Sequence, residues 1–152
     1  VKLLLNEMAD FLREKSPPVS QSAWAELLND MLELQGLIFT CVDPEVCFET
    51  CVATRLLSGV KSNIQDCVSL IETRKKENSL VKVSYNRAVE LILEASREYF
   101  NSSKSLHDQT MELAKACLNL IEDENKLIQR EFDLINALQV LDEFGMNILP
   151  LQ

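Results

Sequence analysis

Glycine and histidine are nearly missing from this chain: three glycines and one histidine, His107, in 152 residues. There is no glycine-rich loop to cradle a phosphate. Enzymes hold reacting groups on tight loops or convergent polar clusters, whereas the polar residues here are spread along helix faces between short loops. An excess of basic residues is missing as well. Asp and Glu outnumber Lys and Arg, for a net charge of −9, so the chain repels phosphates and carries no basic stripe for direct nucleic-acid contact. The basic residues Arg74, Lys75, Lys76, Lys82 and Arg87 are interrupted by Glu72, Glu77 and Glu90, and read as a solvated helix end and loop.

Long apolar runs are also lacking. None reaches the roughly 18 to 20 residues that span a bilayer; Leu3, Leu4 and Leu5 are followed at once by Asn6 and Glu7. A secretory signal needs a basic start and a longer apolar core, and neither is present. Both ends, Val1 inside an expected helix and Pro150-Leu151-Gln152 after one, suggest a piece of something longer. The five cysteines (Cys41, Cys47, Cys51, Cys67, Cys117) are odd in number and lie mostly among apolar neighbours. That suits reduced, buried thiols in a cytoplasmic protein rather than a disulfide framework, and it leaves the Asn101-Ser102-Ser103 sequon unused.

What is present is helical periodicity. Hydrophobic residues make up 47% and charged residues 26% of the chain, an ordinary globular balance. A first helix is expected from Lys2 to Lys15, stopped by Pro17-Pro18. A second starts near Ser20 or Ser22 and carries Trp24, Leu27, Leu28, Met31, Leu34, Leu37 and Ile38, with Gly36 marking a kink or a close crossing. A third has Asp43 as N-cap, Pro44 at the first helical position and Glu45 at the positive end of the dipole, and stops at Gly59. A fourth runs from Ser62 through Ile64, Val68 and Ile71 to Arg74, Lys75 and Lys76, followed by a linker over 78–82.

The fifth helix begins at Ser84 with an apolar stripe so wide that it must be covered on more than one side. A sixth is capped by Ser105, with Asp108 completing a loose capping box and Leu106, Leu113, Cys117, Leu120 and Ile121 facing inwards. A seventh runs from about Glu124 to Phe144, ended by Gly145, with Ile128, Phe132, Ile135, Leu138 and Leu141 inwards. From the third helix on, starts recur about every 20 residues, two helices per roughly 40, which is the period of stacked helical hairpins. The expected fold is all-α: stacked antiparallel hairpins forming part of an α-solenoid, with 1–152 one helical segment. A closed bundle is the alternative.

Candidate chemistry is thin. Cys47 and Cys51, at i and i+4, face the same way; with Cys41, Cys67 or His107 they would make a zinc site, but structural zinc wants two tightly spaced pairs on turns. Buried structural cysteine is the better reading. His107 and Cys117 lie about 15 Å apart along a helix axis, too far for a nucleophilic dyad. Glu94 with Glu98, Glu122-Asp123-Glu124 and Asp142-Glu143 read as solvated outer faces. Leu127, Leu134 and Leu141 are seven apart, but two heptads are too few for a coiled coil, and core packing is the better account.

The stretch Val89-Glu90-Leu91-Ile92-Leu93-Glu94-Ala95-Ser96-Arg97-Glu98-Tyr99-Phe100-Asn101-Ser102-Ser103 resembles the neuroblastoma-amplified sequence (NBAS) family. The tail from Leu138 to Gln152 is similar to it as well, and Asp43-Pro44-Glu45-Val46-Cys47-Phe48-Glu49 more weakly. The resemblance implies a slice of a long α-helical solenoid in a multisubunit tether at the endoplasmic reticulum (ER). It implies partners among the other tether subunits and the ER SNARE proteins, a role in Golgi-to-ER retrograde transport, and a link to nonsense-mediated mRNA decay. It implies a peripheral place on the ER membrane, held through those partners. It carries over no catalytic, cofactor-binding or metal-ligating residue and no partner-binding position. The expectation is therefore a non-catalytic scaffold. The alternatives are a self-contained helical adaptor, or a helical metal-binding or enzymatic domain using Cys47, Cys51 and His107.

Overall fold

A computed structural model of the chain describes residues 1–71, 83–122 and 125–146. Among them are seven α-helices and no strand: α1 Lys2–Arg13, α2 Gln21–Leu37, α3 Glu45–Leu56, α4 Lys61–Asp66, α5 Tyr85–Ser102, α6 Gln109–Leu118 and α7 Lys126–Glu143. The fold is all-helical, as the periodicity implies. The expected linker over 78–82, the basic residues Arg74, Lys75, Lys76 and Lys82, and the tail Ile148 to Gln152 lie outside the described residues.

Several helix ends follow directly from local chemistry. Ser20 caps α2 by accepting from the Ala23 amide. At α3 the Asp43 carboxylate accepts from the Glu45 amide at 2.8 Å, and Pro44 already has helical backbone angles. Gly145 sits at φ 76°, with its amide on the Asp142 carbonyl and the Met146 amide on the Leu141 carbonyl. That is the paired closure a left-handed residue permits at a helix C-terminus.

Three expectations are corrected. The fourth helix does not run on to Arg74: α4 ends at Asp66, tightens into a 3₁₀ turn over Cys67–Leu70, and Ile71 is extended, bridging to Val83. At three residues per turn, Cys67 follows Ile64 into the core and Val68 is left half-exposed, whereas an α-helix would have put Val68 inwards. The sixth helix is capped by Asp108, not Ser105: its carboxylate takes the amides of Met111 at 2.9 Å and Lys104 at 2.8 Å, which one hydroxyl cannot match. Gly36 marks no close crossing, since a Cβ there would meet nothing within 4 Å.

The Asp108 cap has a pH signature. Burial pushes this carboxyl up, but hydrogen bonds from the Met111 and Lys104 amides and the Thr110 and Ser103 hydroxyls outweigh it and hold it at about 2. A depressed folded-state value adds stability above the unfolded value of about 3.9, and that stability is lost as pH falls through the folded one. Asp108→Ala is expected to lower stability by about 1–2 kcal/mol at neutral pH. The gap between variant and parent should close as pH drops from about 4 towards 2 in urea melts; a pH-independent gap contradicts the cap.

Packing runs between near neighbours in chain order. Helix α1 packs on α2 and α3, α3 on α2, α4 and α5, α4 on α6, α5 on α6 and α7, and α6 on α7. Helix α5 is the most enclosed, burying Tyr85, Val89, Leu91, Ile92, Leu93 and Tyr99 among others against three different helices. Its wide apolar stripe required that cover.

The end of α3 is closed from α5. The Tyr99 hydroxyl donates to the Leu56 carbonyl at 2.8 Å and accepts from the Gly59 amide at 2.9 Å, with Gly59 at φ 72°. Burial pushes the Tyr99 hydroxyl up, more than the Gly59 hydrogen bond lowers it, so it stays protonated. Tyr99→Phe strips a partner from two main-chain groups at once and is expected to cost about 2 kcal/mol in chemical denaturation, with an unchanged m-value. A loss below about 0.5 kcal/mol contradicts this closure.

Candidate functional site

Of the residues considered for metal or nucleophilic chemistry, Cys47, Cys51 and Cys67 lie near one another in the core, while Cys41 and His107 are on the surface. The Cys47 thiol donates towards the Met31 carbonyl, the Cys51 thiol lies 3.6 Å from the Met31 sulfur, and the Cys67 thiol donates to the Asn63 carbonyl at 3.3 Å. Burial pushes the Cys51, Cys67 and Cys117 thiols up to about 12. Almost no thiolate exists near neutral pH, and the thiolate is both nucleophile and metal ligand. Cys41 is exposed, away from this buried group. His107 is also on the surface, 66% exposed, with Nε2 3.3 Å from Asp142. Among the described residues no cluster of three His, Cys, Asp or Glu is placed to hold a metal.

A charge sits instead where periodicity had no reason to place one. Arg55, on the last turn of α3, is 4% exposed. Its Nη2 lies 3.3 Å from Asp66, and its guanidinium is 5.7 Å from the centre of the buried Trp24 ring of α2. Among the described residues its Nε and the Trp24 Nε1 have no hydrogen-bond partner. Arg55 thus ties α3 to α2 and α4 through charge and ring, and Asp66 is where α4 gives way to the 3₁₀ turn.

Two kinds of surface are left open. The first is a cleft of about 450 Å³ bounded by the end of α1, the second half of α3, α5 and the start of α6. Ala53 of α3, Leu57 just past its end, and Leu91 and Ala95 of α5 line it, with Glu94 and Glu98 on the α5 side and Arg13, paired with Asp10, on the α1 side. Both glutamates are exposed, as the sequence implied. The second is the outer side of the first and last helices. Leu4 and Phe11 of α1 are exposed, and so are Leu127 and Leu134 of α7. This corrects the expectation that Leu127 and Leu134 are core: the buried side of α7 is the Ile128–Ile135 side, and the leucines stand beside it.

Comparison with known proteins decides the kinship. The human protein named NBAS subunit of NRZ tethering complex is 44% identical over 149 aligned residues, covering 91% of this chain. The chain is an NBAS-related segment. MAG2-interacting protein 2 of Arabidopsis thaliana is 30% identical over 153 aligned residues, covering the whole chain. This NBAS-related segment spans about 6% of the length of either relative. No family model and no solved structure matches it. No helix among the described residues is long and apolar enough to cross a membrane.

Proposed function

We propose that the segment is a non-catalytic scaffold in a vesicle tether at the ER, acting in Golgi-to-ER retrograde transport. Its partners in this reading are other tether subunits and the cytosolic parts of ER SNAREs, and it stays peripheral to the membrane through them. The observation that carries the reading is the 44% identity along 91% of the chain to a tethering-complex subunit. The architecture supports it: each helix packs mainly on the next one or two in order, which is how stacked hairpins in a solenoid make contact. Exposed Leu4, Phe11, Leu127 and Leu134 are then the faces that adjoining hairpins of a much longer protein cover.

A self-contained adaptor would finish its own surface, so the two readings part in solution. The solenoid reading expects the isolated chain to self-associate through these faces in sedimentation velocity. Leu127→Lys with Leu134→Lys shifts it towards monomer. A parent chain that is monomeric at every concentration overturns the stacked-segment reading in favour of the adaptor.

A further inference from the structure

The cleft between α1, α3, α5 and α6 carries a charge pattern that the packing of the fold leaves unused. On α5 the other charged groups have partners: Arg87 pairs with Glu49 and Glu90, and Arg97 with Glu131. Glu94 and Glu98 make no ion pair among the described residues. Like charges at i and i+4 repel, so the pair is mildly unfavourable to α5 itself. Behind them Ala53, Leu57, Leu91 and Ala95 form an apolar part of the wall, and Arg13 of α1, which also lines the cleft, is paired with Asp10 at 3.0 Å. Ala53 and Ala95 keep the cleft open, and Leu57 remains 40% exposed beside it.

The volume of about 450 Å³ is that of a small-ligand pocket, but the polar groups on its wall are already engaged: Arg13 with Asp10, the Ser102 hydroxyl with the Tyr99 carbonyl, and Thr110 with Asp108. The buried Tyr99 hydroxyl on the wall is already committed to Leu56 and Gly59. What remains is an apolar seat whose unpaired charges, Glu94 and Glu98, are both negative, since Arg13 on the opposite side is paired with Asp10, and the spacing of the two glutamates fits a helix. Glu94 and Glu98 are separated by about 6 Å along α5, close to one turn of a helix lying alongside. We propose that this cleft docks a basic amphipathic helix of a partner protein, with an apolar anchor between Leu57 and Ala95 and Lys or Arg residues one turn apart across Glu94 and Glu98. This is recognition of a helix in a groove, with register set by charge. It rests on the tether reading in that the groove then receives a neighbouring subunit or a client helix.

The test titrates the whole chain with two synthetic amphipathic helices, one alternating Leu and Lys faces, the other Leu and Glu. The Leu/Lys peptide binds saturably and the Leu/Glu peptide does not. Glu94→Lys with Glu98→Lys weakens binding about tenfold, and Leu57→Gln weakens it several-fold. Glu26→Lys with Glu33→Lys, the same charge change on exposed positions of α2, leaves it unchanged. Circular dichroism shows each variant folded. Equal weakening by both charge pairs means unspecific attraction to an acidic protein and overturns the proposal, as does no binding at all. If the chain binds tether subunits and the Leu/Lys peptide fails to bind, the groove proposal falls alone. If the peptide seats in the cleft and no tether subunit binds, the tether reading falls alone.

Discussion

Asp66→Ala is expected to destabilise the chain by about 3 kcal/mol, because it leaves the Arg55 charge buried with no opposite charge. Arg55 is almost fully enclosed and Asp66 about two-thirds so, at 3.3 Å. Taking a guanidinium out of water is costly, and the nearby carboxylate and the face of Trp24 are what offset it. The damage should therefore be reversible by removing the charge itself. Arg55→Met on the Asp66→Ala background is expected to recover about 2 kcal/mol of the loss, since an apolar side chain of similar length needs no partner. Urea denaturation of the parent, both single variants and the double variant gives the coupling directly. If the double variant is no more stable than Asp66→Ala alone, Arg55 contributes packing rather than charge.

Trp24→Ala is expected to cost about 4 kcal/mol, a large share of the roughly 5–15 kcal/mol that stabilises a domain. Trp24 is 1% exposed and is among the largest fully buried side chains. Its removal opens a cavity between α2 and α3 and takes away the ring under Arg55. Trp24→Phe separates these effects from the polar handle. The indole N–H is buried without a partner among the described residues, so phenylalanine loses volume but sheds an unsatisfied donor. Its expected cost is about 1 kcal/mol. Near-equal losses for the two variants would contradict this, because a phenyl ring would then replace none of what the indole contributes.

Much of the fold was legible because its signals are local. Asp43-Pro44-Glu45 at the start of α3 and Gly145 after α7 act through residues one to four positions away. The wide stripe of α5 announced burial from several sides. What escaped depends on distant partners. Tyr99 reads as one more apolar position, yet its hydroxyl serves Leu56 and Gly59, some forty residues earlier. Arg55 reads as a basic residue at the end of a helix, and only folding puts Trp24 and Asp66 around it. The 3₁₀ turn defeated periodicity for a related reason: Val68 and Cys67 compete for one inward place, and packing on α3 decides for Cys67. Ser105 reads as the cap and Asp108 only as its capping-box partner, and the exchange of roles turns on how many amides a carboxylate can take.

The candidate surface was less legible than the core. Glu94 and Glu98 were read as a solvated face, and they are exposed, but their place on the α5 side of a cleft follows from how α1, α3 and α6 meet α5. Leu127 and Leu134 show the converse. An apolar residue on a regular stripe reads as core, and only the packing shows that no helix among the described residues covers Leu127 and Leu134.

The most direct measurement is a titration of the folded chain against purified tether subunits and the cytosolic parts of ER SNAREs, one at a time. Saturable binding to one of them, weakened by Glu94→Lys with Glu98→Lys, is the predicted result. A chain that is helical by circular dichroism yet binds none of them contradicts a docking scaffold within these residues.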